Sequence, residues 1–512
     1  MVEPQSQTGF VQKLKARNFD ITAHKLIAVL NGIDANELGV FPLDRVEIKN
    51  PKNGKRITAL VDTTDSMVEE DEIGMFRDVW EKIGARQGQA LEVKAVPRPE
   101  SVKAIKKKLD GEKLSEQEIR QIVKDVGENK IDDIELSAFV AAVYINGYSL
   151  EETAAMTKAL TEDGVQLKIR KKPIIDKHSI GGVNGRATMI IVPIMAAAGL
   201  FMPKTSSRSI TSAAGTADSM EVLANVSLSI KQITSITEKT GGVIVWGGAL
   251  DLAPVDDKII KVEHPLSLDP EGQVIASVMA KKASVGAKFV VIDLPVGPDV
   301  KISSMDKAKD MAQKFIEVGK RLGIKVEVLL TDGTTPSGPA FGPALEAKHA
   351  LMILEGKVFD NLAQKSCELA GALLELCGAE RKMQGYAKAR EILESGKALQ
   401  KMREIIKAQG GTAMGSSDIK LSDIKKVISS TTSGEISNIN VRQCIELARI
   451  AGAPADKKAG IMLLVEEGDK VKEGQPVLEI YAENKRKLEL AIEYAKITEI
   501  IEMQKIVLEK FG

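Results

Sequence analysis

The sequence predicts a multi-domain α/β protein: a β-rich N-terminal domain, a small helical lobe, a larger α/β lobe and a C-terminal β-rich domain of barrel-sandwich type. Three observations carry this expectation. Between residues 173 and 425, short apolar strands alternate with helical stretches, the pattern of a layer with largely parallel strands. Two Ser-x-x-Glu capping boxes open apolar runs of helical period between residues 99 and 172. The two ends of the chain instead show short strands bounded by turn residues. At 512 residues the chain is long enough for several domains.

In residues 1–98, Arg45-Val-Glu-Ile-Lys alternates and Ile57-Thr-Ala-Leu-Val follows it as a second strand. Asn53-Gly54 between them is a hairpin signal. Pro97 and Pro99 mark the boundary. In residues 99–172, Ser115-x-x-Glu118 precedes Ile119, Ile122, Val123 and Val126, and Ser149-x-x-Glu152 precedes Met156 and Leu160. In residues 173–425, Val243-Ile-Val-Trp, Phe289-Val-Val-Ile and Val326-Glu-Val-Leu-Leu read as strands, with a helical stretch over 305–322. In residues 426–512, short strands around Ala459-Gly460-Ile-Met-Leu-Leu and Gly468 to Leu478 are separated by glycine turns.

Composition excludes several classes. Lys plus Arg equals Asp plus Glu at 71 each, which gives no general surface for nucleic acid or membrane. Tryptophan and tyrosine are too sparse for a base-stacking platform. Cys367, Cys377 and Cys444 form no CxxC pair, so no metal site and no redox motif is expected. No apolar run approaches the roughly 18 residues that span a bilayer, and the N-terminus lacks a signal-peptide core. A cytoplasmic protein is expected.

Two segments carry the chemistry. Asp176-Lys-His-Ser-Ile-Gly-Gly-Val-Asn-Gly-Arg-Ala-Thr188 follows the strand-like Pro173-Ile-Ile and enters a helix. A Gly-rich strand-to-helix turn presents backbone N–H groups at a positive helix end, which suits a phosphate. Lys177 adds full charge, and Ser179 and Thr188 add hydroxyl donors. A plain glycine turn with a surface lysine has the same pattern. The second segment, residues 204–221, is rich in Ser and Thr around Arg208, again suited to an oxyanion. Flanking apolar helices argue against a merely flexible loop.

Together the segments resemble the thymidine phosphorylase family, and within it the long archaeal-type AMP phosphorylases. The matching pattern is Lys-His-Ser-x-Gly-Gly-Val at 177–183, Ser-x-Arg at 206–208 and Gly-Thr-x-Asp-x-x-Glu at 215–221. Further matches lie at 246–257, 269–282 and Gly342-Pro-Ala-Leu-Glu346. The resemblance runs along essentially the whole chain. It implies a helical lobe facing an α/β lobe across a cleft, with residues 256–286 joining the helical lobe. It implies inorganic phosphate as a co-substrate, held by Lys177, Ser179, Thr188, Ser206 and Thr216, and no cofactor. It implies a nucleotide at Gly181, Ser207, Arg208, Ser209, Ile210, Thr211, Ser212, Thr216, Ser277 and Lys301, with Lys281 beside Ser277 near base and sugar. It implies Asp269 as the proton donor. Family members are homo-oligomers, dimers or larger.

These roles fit the chemistry of phosphorolysis. An anionic nucleophile stabilises the cationic sugar carbon, and a carboxylic acid protonates the departing base. Asp269 could serve if burial raises its pKa; Asp269-Pro270 also reads as a helix start before Glu271. His178 is a second candidate for proton transfer, or a histidine satisfied locally. Beside Lys281, Lys282 reads as solvated helix charge.

Pyrimidine-specific members carry an Arg before the proton donor. Here Ile260-Lys-Val-Glu-His-Pro-Leu-Ser-Leu has none, and the aligned position falls near Val262. This and the N-terminal domain favour a nucleotide, AMP (also CMP and UMP), over the alternative of thymidine or another pyrimidine nucleoside. The layout also resembles anthranilate phosphoribosyltransferase, a magnesium-dependent class that the Lys-His-Ser signature speaks against. The stretch Gly468 to Leu478 resembles a lipoyl or biotinyl domain without its modified lysine, and is expected to be a structural relic.

Overall fold

A computed structural model describes residues 10–23, 25–181, 186–209, 212–250, 252–298 and 300–504. The chain divides into two compact units. One runs through Ala159 and takes back Val255–Gln273; the other holds Leu160–Pro254 and the chain from Val274 onward.

The first unit opens with a closed six-stranded barrel in the order Gln12–Phe19, Glu72–Phe76, Ile27–Asn31, Arg56–Thr64, Arg45–Lys49, Ala90–Val96. Alternation in Arg45–Lys49 sends Val46 and Ile48 into a core shared with Leu14, Leu30, Ile73, Met75 and Leu91. Arg45–Lys49 and Arg56–Thr64 pair antiparallel from Lys49 opposite Arg56, with Asn53-Gly54 in the turn and Gly54 at φ 72. Closure leaves no open sheet edge.

Helices Glu100–Leu109, Glu116–Gly127, Asp133–Asn146 and Leu150–Asp163 follow. Both expected caps are present: Ser115 and Glu118 exchange side-chain bonds with each other's backbone, as do Ser149 and Glu152. Glu152 is also buried against Lys108 at 2.8 Å.

In the second unit, Lys325–Asp332, Phe289–Val296 and Ile175–Ser179 form a parallel sheet, and Met202–Ser206 pairs parallel with Gly242–Trp246. A parallel bridge from Ile174 to Phe201 joins the two pieces. The helix Ala187–Ala197, apolar but for Thr188, is buried, and it packs in one core with Asn361–Leu376 and Lys397–Ala408.

Two boundaries differ from expectation. The helix Glu271–Ser284 leaves the first unit at Val274, because Lys282 is tied to Asp176 at 2.6 Å and Ser284 to the Leu252 carbonyl at 3.1 Å. Strand Ala340–Phe341 pairs with Gly460–Leu463, so the C-terminal sheet draws on residues well before 426. The C-terminal region, expected from the sequence as a β-rich, α+β domain, contains helices Val441–Ala451 and Lys485–Ile497 beside its two small sheets.

Candidate active site

In the second unit, the Gly-rich and Ser-rich loops and the loop carrying Lys301 leave the carboxyl ends of parallel strands. That is where open α/β sheets bind ligands. Strand Ile175–Ser179 places Ser179 opposite Asp293. The Lys177 ammonium donates to the Ser179 hydroxyl, which donates to Asp293 at 2.6 Å. Asp293 also accepts from Thr331 at 2.6 Å and lies 3.5 Å from Lys365. Burial would raise the Asp293 carboxyl, but Lys177, Lys365 and the two hydroxyls hold it below its ordinary value. Lys177 is buried, and that burial brings it down to about 8 despite Asp293.

Beneath this layer, Asp176 is fully buried between Lys282 at 2.6 Å and Lys204 at 3.3 Å. Lys204 also donates to the Lys177 carbonyl at 2.9 Å. Burial lowers Lys282 to about 7. Among the described residues, Lys177, Lys204, Lys282 and Lys365 face the buried carboxylates Asp176 and Asp293, a lysine-rich cluster suited to an anion. The reading of Lys282 as solvated charge is corrected: it is 1% exposed.

His178 is half-buried. Desolvation and the charges of Lys282, Lys204, Lys281 and Lys177 push it well below its ordinary value. A neutral imidazole can donate a hydrogen bond but is not an acid near pH 7.

Gly181 takes φ 155, and a Cβ there would lie 3.0 Å from the Pro295 side chain. Residues 182–185 of the glycine loop lie outside the described residues. Thr188 sits buried in the first turn of Ala187–Ala197. Just before it, Arg186 pairs with the buried Glu346 and donates to the Ala214 carbonyl, tying the glycine loop to the Ser-rich segment. Burial raises Glu346 to about 7, with Arg186 opposing.

Ser206 ends strand Met202–Ser206, and its buried Oγ has no hydrogen-bond partner among the described residues, the state of a hydroxyl that a ligand would satisfy. Ser207 is exposed. Ser209 bonds the Ser212 carbonyl and Ser212 bonds the Ala214 carbonyl, so these hydroxyls shape their own loop. Ile210 and Thr211 lie outside the described residues. Thr216 opens the short helix Thr216–Glu221. Arg208 stacks 4.8 Å over Trp246 and reaches Asp218 at 3.1 Å and Glu221 at 2.7 Å.

Lys281 donates to Ser277 at 3.2 Å, one turn away, and both are half-buried. Lys301 is exposed beside the Val296–Ile302 bridge. Asp269 belongs to the first unit, between helices Pro254–Leu266 and Glu271–Ser284, and is exposed. The burial expected of Asp269 is absent among the described residues.

Lys204, Asp293, Lys365, Arg186 and Lys457, which reaches Asp218 at 3.2 Å and Glu221 at 2.7 Å, were not legible as site residues in the sequence. A lone charge within an apolar strand is the usable signal, and Asp293 in Phe289-Val-Val-Ile-Asp carries it. Lys365 and Lys457 carry none. Among the described residues, no three acidic, His or Cys side chains gather to hold a metal, and no helix is long and apolar enough to cross a membrane.

Comparison with known proteins agrees with this geometry. Residues 102–164 match the helical bundle domain of a glycosyl transferase family, residues 171–399 its a/b domain, and residues 436–502 the pyrimidine nucleoside phosphorylase C-terminal domain. The chain is 48% identical to the AMP phosphorylase of Pyrococcus furiosus over 97% of its length and 98% of the relative's. It is 45% identical to AMP phosphorylase 1 of Archaeoglobus fulgidus over 97% and 99%. Among solved structures, anthranilate phosphoribosyltransferase from Thermus thermophilus shares the fold, with a TM-score of 0.53 at 20% identity, over 60% of this chain and 99% of that one. With a lysine cluster at its parallel strands and near-complete matches to these archaeal enzymes, the chain belongs to the AMP phosphorylase family.

Proposed function

We propose that the protein splits AMP with inorganic phosphate into adenine and ribose 1,5-bisphosphate, and acts on CMP and UMP in the same way. The observation that carries this is the Lys177–Ser179–Asp293 relay at a strand end, in a chain matching AMP phosphorylases over nearly its whole length. Phosphate is held by Lys177, Ser179, Thr188, Ser206 and Thr216. The nucleotide is held by Gly181, the Ser207–Ser212 loop around Arg208, Thr216, Ser277, Lys281 and Lys301. Phosphate attacks C1′ as the base leaves, and Asp269 protonates the base. The enzyme acts in the cytoplasm as a homo-oligomer and needs no cofactor.

A pyrimidine nucleoside phosphorylase is the second reading, favoured by the C-terminal match and weakened by Val262 in place of an Arg. A phosphorolysis panel of AMP, CMP, UMP, adenosine, thymidine and uridine separates them. AMP should be cleaved at least about a hundredfold faster than adenosine, because a site built for a 5′-phosphate leaves donors unpaired without it. Equal rates on AMP and adenosine, or preference for thymidine, would overturn the nucleotide assignment and leave phosphorolysis standing.

A further inference from the structure

The C-terminal region is tied to the nucleotide loop by two cations. Lys457 reaches Asp218 at 3.2 Å and Glu221 at 2.7 Å, the same two carboxylates that hold Arg208. Arg449 donates to the Ser212 carbonyl at 3.3 Å. The Lys457 carbonyl accepts from Ala344 at 2.9 Å, which fixes its backbone against helix Pro343–Leu354. Asp218 is 3% exposed and also accepts from the backbone of Ser209 and Gly215, at 2.7 and 2.9 Å. Asp218 is therefore fixed on the loop it shapes.

Arg208 then faces a choice between Asp218–Glu221 and an incoming anion. Two cations on two carboxylates make a neutral cluster. If Arg208 swings to a ligand phosphate, Lys457 remains as a shared cation between Glu221 and Asp218, and the pair keeps a net charge of only one. Without Lys457, departure of Arg208 would leave two adjacent, partly buried carboxylates with no cation, and Arg208 would be held back. We propose that Lys457 is a specificity-positioning residue of the C-terminal domain that releases Arg208 to the 5′-phosphate of the nucleotide. This rests on the nucleotide reading above, and it gives the region expected to be a structural relic a part in substrate choice.

The test is steady-state kinetics on the full-length protein. Lys457→Met should raise the KM for AMP by about tenfold, the weight of one charge-assisted contact, with the KM for phosphate unchanged. Lys457→Arg should retain the wild-type KM for AMP. In the double variant Lys457→Met/Glu221→Gln, removing one restraining carboxylate should recover much of the lost affinity; a merely structural role predicts a protein worse than either single variant. If the wild type prefers AMP but Lys457→Met keeps its KM for AMP within about twofold, or the double variant shows no recovery, the inference fails alone. If the wild type has no preference for AMP over adenosine, the nucleotide reading itself has failed. Should Lys457→Met not fold, the comparison of Glu221→Gln with the wild type decides: a loosened Arg208 predicts an equal or lower KM for AMP, and a raised one overturns the proposal.

Discussion

Replacing Asp269 by Asn should lower turnover on AMP by roughly 10²–10⁴, the span of a lost general acid, while the melting temperature hardly moves. The side chain keeps its size and its capacity to accept a hydrogen bond, and it lies just before helix Glu271–Ser284, where Asn and Asp are about equally well tolerated. It loses only the proton. A substrate whose leaving group needs no protonation should be spared in part. Near-normal turnover of AMP by a well-folded Asp269→Asn protein would move the proton source elsewhere. His178 is poorly placed to inherit the role, because burial and four lysines keep it neutral.

Lys177→Ala should raise the KM for phosphate and lower turnover, together by about ten- to a hundredfold, from the loss of roughly 1.5–3 kcal/mol in one charge-assisted bond. Asp293 keeps Lys365, Ser179 and Thr331 as partners, so the fold should survive. The same lysine sets a pH limit. Its pKa is brought down from 10.5 to about 8, so the cation needed for phosphate is lost as pH rises through about 8, and kcat/KM for phosphate in the wild type should fall there. Unfolding is not the cause: between about 8 and 10.5 the unfolded chain binds the proton that the folded chain has lost, so this group makes the fold more stable as pH rises. A phosphate dependence unchanged in Lys177→Ala would remove Lys177 from the site.

The local signals in the sequence were sufficient for local structure. Ser115-x-x-Glu118 and Ser149-x-x-Glu152 became caps because a capping box closes within one turn. Asn53-Gly54 became a turn for the same reason. The Lys-His-Ser and Ser-x-Arg motifs fell at the ends of parallel strands. What the sequence hid depends on partners far along the chain. Lys282 looked like one of two exposed helix charges, yet it is buried on Asp176, 106 residues away. Lys457 meets Asp218 across 239 residues. Helix periodicity does not distinguish a solvated lysine from one facing a buried carboxylate, and neither does it show that Asp269 stays exposed. Barrel closure likewise follows from the pairing of Gln12–Phe19 with both Glu72–Phe76 and Ala90–Val96, which no single strand announces.

The fate of the attacking phosphate tests the central claim most directly. Incubation of the wild-type protein with AMP and labelled inorganic phosphate should release adenine and an equal amount of ribose 1,5-bisphosphate carrying the label at C1, with no turnover when phosphate is left out. Release of adenine with ribose 5-phosphate, at a rate independent of phosphate, would make the protein a hydrolase and contradict the account.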